Sequence, residues 1–201
     1  MFTGIIDAIG TVVAARDTAV GRELEIRCPY VDLVVGESVA CNGACLTVRT
    51  CGPEWFTVAA VVTTRGRTTI DRWGERTHLN LERAMPATGR FGGHMVQGHV
   101  DAVGDVLRVR RQVDALLMEI TAPSEVRELL VPQGSITVDG VSLTVNRLDA
   151  ESFEVSLIEH TRRHTTLGIL TAGDRVQLES DILGKYVRRL LEQHLHRRSS
   201  A

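Results

Sequence analysis

The sequence predicts an all-β protein: two tandem, similar, small closed β-barrels followed by a C-terminal α-helix. Three observations lead to this. The chain repeats itself, each copy is a string of short strand-like runs broken by turn residues, and helical periodicity begins where the second copy ends.

The repeat comes first, because a missed repeat misreads the whole fold. "MFTGIIDAIGTV" from Met1 aligns with "MVQGHVDAVGDV" from Met95, and Gly4 to Gly98 sets an offset of 98 − 4 = 94. Further on, "NGACLTV" (42–48) aligns with "DGVSLTV" (139–145), and Leu46 to Leu143 gives 143 − 46 = 97. The second offset also holds for Phe56/Phe153, Thr64-Arg65/Thr161-Arg162, Thr68-Thr69/Thr165-Thr166 and Glu82/Glu179, so a small insertion lies early in the second unit. The expected domains are residues 1–94 and 95–184, with "MPATGRFGG" as the linker and a helix over 180–197.

Within the first unit, "ELEIRCP", "ESVACNG", "CLTVRTC", "WFTVAAVV" and "THLNLER" are short runs rich in Val, Ile, Thr and Phe. The second unit repeats them as "LLMEITAP", "GSITVDG", "SLTVNRL", "SFEVSLIE" and "DRVQLES". β-Branched and aromatic residues suit a pleated surface, and Gly, Pro, Asn and Asp punctuate it. Asn42-Gly43 and Asp139-Gly140 are hairpin dipeptides, since these residue types tolerate positive φ. Several short strands in a unit of this size favour closure, which removes exposed sheet edges. Short helices are expected at "YVDLV" and "SEVRELL". After Ser180, apolar residues at 182, 183, 186, 187, 190, 191 and 195 follow helical spacing, with Ser180 or Asp181 as cap and a solvated tail at the last few residues.

Composition excludes several classes. The net charge is -2, from Lys+Arg 23 and Asp+Glu 25, which gives no electrostatic case for nucleic acid or an acidic membrane. No apolar run reaches the ~20 residues of a membrane span, and "MFTGIIDAIG" lacks the basic start of a signal peptide. Cys28, Cys41, Cys45 and Cys51 have no partner pair at zinc spacing, so free thiols and no metal are expected in a soluble, cytoplasmic protein.

The motifs "MFTGI", "NGACLTV", "NLERA", "GRFGGHMVQGHVD", "GSITVDGVSLTV", "SLIEHT" and "GKY" run through the whole chain. In this order and spacing the sequence resembles the riboflavin synthase family, the α-type enzymes of two lumazine-binding barrels. The resemblance implies dismutation of two 6,7-dimethyl-8-ribityllumazine molecules to riboflavin and 5-amino-6-ribitylamino-uracil, without redox cofactor or metal. It also implies a homotrimer in which a first barrel faces a neighbour's second barrel, and association with lumazine synthase.

From pattern alone, Cys45 and Thr47, and Ser142 and Thr144, are small strand residues two apart and so on one face. The resemblance implies catalytic roles for Cys45, His99, Asp139 and Ser142, with His94 secondary. It places His99 at the first strand of the second barrel, matching Ile5 of the first. An imidazole titrates near neutrality and suits proton transfer, whereas a thiol acts as nucleophile only when its pKa is lowered. Substrate contacts are implied at Gly4, Ile5, Ile6, Cys45, Leu46, Thr47, Ala59, Ala60, Val61, Val62, Thr63 and Thr64. Those of the second unit are Gly98, His99, Val100, Gln133, Ser142, Leu143, Thr144, Ser156, Leu157, Ile158, Glu159, His160 and Thr161. The glycines are expected to let the ring approach backbone, and 59–64 and 156–161 to be contacting strands.

The chain departs from the family at Gln133, where Lys is common, and at Val61-Val62-Thr63-Thr64, where Met-Pro-Glu-Thr is common. Two readings therefore stand beside the enzyme: a non-catalytic or altered-substrate lumazine/flavin-binding paralogue, and a barrel module without small ligand. Retention of both "LTV" segments, Cys45, His99, Asp139 and Ser142 favours the enzyme.

Overall fold

The computed structural model describes residues 1–199, with side chains through Leu195. The strands are β1 (Ala8–Thr18), β2 (Gly21–Arg27), β3 (Ser38–Cys41), β4 (Ala44–Gly52), β5 (Trp55–Val61) and β6 (His78–Arg83), with helix α1 (Val62–Arg65) after β5. They close into an antiparallel barrel in the order β1-β2-β5-β4-β3-β6. The second set is β7 (Ala102–Arg111), β8 (Ala115–Thr121), β9 (Ser135–Val138), β10 (Val141–Leu148), β11 (Ser152–Ile158) and β12 (Arg175–Ser180), with α2 (Ser124–Arg127) and α3 (Glu159–His164). It closes as β10-β11-β8-β7-β12-β9. Helix α4 (Ile182–Ser199) ends the described chain.

Each expected strand run forms a strand. The long strands β1 and β7, which open each barrel, lie mostly beyond the runs recognised from the sequence. Their inward pattern is interrupted by bulges at Val12/Ala14 and Val106/Arg108, which bend them around the barrel. Inward residues make two separate cores, one around Leu24, Ile26, Phe56 and Leu81, the other around Met118, Ile120, Phe153 and Leu178.

The three-residue insertion sits between β8 and β9. Strands β1/β7 begin 94 apart (8 and 102), and β3/β9 begin 97 apart (38 and 135). In the second unit the longer connection folds as α2, within "SEVRELL". The shorter connection of the first unit has no room for the helix expected at "YVDLV", which is a bend. Pro29 precedes it and Leu33 turns into the core.

Asn42 and Asp139 both have φ 44°, followed by Gly43 at 83° and Gly140 at 79°, as the hairpin reading requires. These two turns meet back to back: a Cβ on Gly43 would lie 2.7 Å from the Gly140 nitrogen. A reciprocal polar lock surrounds them. Asn80 Nδ2 donates to Asp139 O (3.0 Å) and Asn80 Oδ1 accepts from Thr166 N (2.7 Å). Its repeat counterpart Gln177 donates to Asn42 O and accepts from Thr69 N (3.0 Å). Each side chain thus satisfies buried backbone groups of the other barrel, which otherwise cost about 1–3 kcal/mol apiece.

The segments ahead of β1 and β7 cross between the barrels. Phe2 and Val96 pair as an isolated antiparallel bridge, with Phe2 fully buried. Ile6 packs on the second core and Val100 on the first.

Asp181 Oδ1 caps α4 by accepting from Leu183 N (2.9 Å), as expected. The apolar stripe of α4 is not packed on its own chain: Leu183, Tyr186, Val187, Leu190 and Leu191 are exposed. The expected solvated tail lies largely outside the described residues. Among the described residues, no helix is long and apolar enough to cross a membrane.

Candidate active site

On β4, Leu46 and Val48 point into the barrel, so the alternation turns Cys45 and Thr47 outward. On β10 the same register turns Ser142 and Thr144 outward. The polar pairs therefore decorate the outside of each barrel, and each is met by the crossing segment of the other unit.

At the first barrel, Cys45 N donates to Gly98 O (2.9 Å). A Cβ on Gly98, at φ 77°, would lie 2.6 Å from Cys45 Cβ. Beside this contact opens a cleft of about 660 Å³, lined by Ala44, Cys45, Val62, Thr63, Thr64, Gly66, Arg67, Thr68, Gly98, His99 and Val100. That volume suits a small heterocycle. His99 thus stands beside Cys45 at the first barrel, not at the second barrel's first strand as expected. It precedes β7, in the segment that crosses over. The cleft's other wall is α1: β5 ends at Val61, so Val62–Thr64 sit on a helical turn rather than the expected strand.

At the second barrel the geometry repeats in backbone and differs in side chains. Ser142 N donates to Gly4 O (2.8 Å), and a Cβ on Gly4, also at φ 77°, would lie 2.6 Å from Ser142 Cβ. Both glycines are thus required by the close approach of strand and crossing segment. Here, however, the Ser142 hydroxyl hydrogen-bonds His94 Nδ1 (2.8 Å). Burial holds His94 below the usual imidazole range, hence neutral at pH 7, and its Nε2 is buried with no partner among the described residues. Helix α3 takes the place of the expected strand over 159–161, and the His160 and His164 rings stack at 4.1 Å.

Other expected contacts fall elsewhere. Leu46, Ala60, Leu143 and Leu157 face the cores, because they alternate with the outward Cys45, Ala59, Ser142 and Ser156. Ile5, Val61 and Ile158 are exposed, and Ile6 is half-buried. Gln133 is exposed at φ 64°, where the first unit has Gly36 at φ 92°. Asp139 is buried in the inter-barrel lock, its Oδ1 accepting from Gln177 N (2.8 Å), and burial pushes its pKa up to about 7. It does not line the Cys45 cleft. Burial also pushes the Cys28 and Cys41 thiols up, leaving them inert. Gly66, Arg67 and Thr68 were missed as cleft residues, although "TTRGRTT" and "HTRRHTT" repeat in register. Among the described residues, no group of three or more His, Cys, Asp or Glu is placed to hold a metal ion.

The lumazine binding domain family matches twice, at residues 3–84 and 97–181. Riboflavin synthase of Photobacterium phosphoreum is 39% identical over 194 residues, spanning 95% of this chain and 89% of the relative. That of Mycobacterium bovis is 43% identical over 197 residues, spanning 95% and 98%. The chain belongs to the riboflavin synthase family. Riboflavin synthases are enzymes of riboflavin formation. In fold the chain is also similar to LumP, whose crystal structures include complexes with 6,7-dimethyl-8-(1'-D-ribityl) lumazine and with riboflavin. The TM-scores are 0.79 and 0.81, at 20% and 21% identity, covering 90% of this chain and 99% of LumP.

Proposed function

We infer that the chain is an enzyme that dismutates two 6,7-dimethyl-8-ribityllumazine molecules into riboflavin and 5-amino-6-ribitylamino-uracil. Full-length identity of 39–43% to riboflavin synthases carries this reading. The four carbons one lumazine loses are those the other gains, so the stoichiometry closes on the substrate alone. Such a reaction needs two like rings in fixed register, and orientation can supply up to about 7–11 kcal/mol of a barrier.

The residue roles are our proposal. One ring lies in the Cys45 cleft between β4, α1 and the Gly98–Val100 segment, with Thr63 and Thr64 as polar contacts. His99 moves the proton of an acidic ring methyl, and Cys45 positions the ring edge. The second ring lies against Ser142, whose hydroxyl is oriented by neutral His94. Asp139 supports both clefts through the inter-barrel lock instead of touching substrate. Residues 1–94 and 95–184 act as the two ligand modules.

We also propose a homotrimer, in which the exposed Leu183, Tyr186, Val187, Leu190 and Leu191 of α4 pack between subunits and a first cleft faces a neighbour's second one. Sedimentation equilibrium tests it, since a single chain mass in solution would reject it. A cytoplasmic location and association with lumazine synthase complete the proposal. Fractionation of the host cell and co-sedimentation test these two. Absence from the soluble cell fraction, or independent sedimentation, removes the corresponding part.

A further inference from the structure

Two buried carboxylates occupy the same repeat position and take no part in the chemistry above: Glu82 on β6, 4% exposed, and Glu179 on β12, 2% exposed. Neither is spent on a salt bridge among the described residues; each is spent on backbone N–H groups of a crossing segment. Glu179 Oε1 accepts from Gln97 N (2.8 Å), and its Oε2 accepts from Gly98 N (2.9 Å) and His99 N (3.0 Å). Three successive amides converge on one carboxylate, as in a backbone nest, and Gly98 at φ 77° supplies the left-handed residue this needs. Glu82 accepts from Thr3 N (2.6 Å), Thr3 Oγ1 (2.8 Å) and Gly4 N (2.9 Å), so its third bond goes to a hydroxyl and not to Ile5 N.

The segment carrying His99 has no strand ladder of its own. Around His99, its backbone is held by Gly98 O on Cys45 N, by Asp101 N on Leu178 O, and by Glu179. A carboxylate rooted in the second barrel therefore sets where an imidazole stands in the first barrel's cleft. Ionised acceptors make hydrogen bonds roughly twice as strong as neutral ones. Burial works against ionisation of Glu179 and pushes its carboxyl up, a cost that the Gln97 and Gly98 amides and nearby Lys185 offset in part.

We propose that Glu179 is a positioning residue of the first cleft: it acts on the reaction through His99, holding that imidazole against Cys45 from the opposite barrel. Glu82 is its counterpart for Gly4, which meets Ser142, and does not act through His99. The inference rests on the functional reading above and extends it to a residue that touches no substrate.

The test is a double-mutant cycle on the full chain with 6,7-dimethyl-8-ribityllumazine as substrate. Glu179→Gln keeps the size of the side chain but turns an NH2 towards the amides. It is expected to lower kcat about 10²-fold, the scale of a ~1 Å misplacement. In a His99→Ala background the same substitution is expected to cost less than about twofold, because the group it positions is gone. Glu82→Gln serves as the control for loss of a buried carboxylate, with the same cost in both backgrounds. Equal costs of Glu179→Gln in both backgrounds, or unchanged kcat, overturn the proposal. If Glu179→Gln does not fold, Glu179→Asp carries the same cycle, drawing the charge back by one methylene. Wild-type protein that makes no riboflavin overturns the functional reading instead, and the cycle is then read on the dissociation constant for the lumazine.

Discussion

The two barrels share backbone and differ at their clefts. At Cys45 the strand meets Gly98 and an exposed His99; at Ser142 it meets Gly4 and an exposed Ile5, with a half-buried, neutral His94 on the hydroxyl. His94 directly follows the linker "MPATGRFGG" and reaches the Ser142 hydroxyl from there. The backbone of the two sites is alike, and the histidine that follows the linker makes them unlike. A reaction in which one lumazine gives four carbons and its twin receives them requires that inequality.

The largest effect expected is at the mobile-proton side of the comparison. His99→Ala should lower kcat by about 10²–10⁴-fold, the usual worth of general acid/base catalysis, with the barrels intact by circular dichroism. If turnover survives at the wild-type rate, the Cys45 cleft is not where the proton moves. Next, exchanging the paired residues should sharpen the asymmetry. Cys45→Ser, which gives the first cleft the second's side chain, is expected to reduce kcat while stability changes by less than about 1 kcal/mol. Ser142→Ala is expected to weaken the second of two lumazine equivalents in a fluorescence titration. Identical kinetics for Cys45→Ser would make the thiol a space-filler, and two unchanged equivalents for Ser142→Ala would reject the His94–Ser142 pairing as a ligand contact.

The smallest effect concerns the turns, where the first unit has Asn42 and the second Asp139. The folded pKa of Asp139, about 7, lies above the 3.8 of a free aspartate side chain. The folded state therefore binds the proton more tightly, and stability from this group is present below about pH 4 and lost as pH rises to about 7. Asp139→Asn copies Asn42, whose Oδ1 accepts from Asn80 N at 2.7 Å in the equivalent geometry. It should flatten that decline and raise Tm at pH 8, by about 2–4 °C for each kcal/mol recovered. A lower Tm at pH 8 would contradict the burial argument, and a near-complete loss of kcat in a folded variant would return Asp139 to the chemistry.

The sequence made the barrels legible because strand runs, turn dipeptides and repeat register are local signals. Asn42-Gly43 and Asp139-Gly140 named both hairpins, and the spacing of two put Cys45 with Thr47, and Ser142 with Thr144, on one face each. What it hid was non-local. Nothing in "GHMVQGHV" says that the segment crosses to the other barrel, which is why His99 was expected on the wrong one. The Glu179 amide nest and the Asn80/Gln177 lock join residues 59 to 135 positions apart. α1 and α3 were hidden for a different reason: "VVTTR" and "IEHTR" begin as β-branched continuations of a strand, and tertiary context outweighs that propensity.

The most direct measurement is product stoichiometry. Purified protein incubated with 6,7-dimethyl-8-ribityllumazine alone, with products separated by chromatography, should yield one riboflavin and one 5-amino-6-ribitylamino-uracil for every two lumazines consumed. Lumazine bound with altered fluorescence but recovered unconverted would contradict the account, leaving two clefts that hold the heterocycle without making it react.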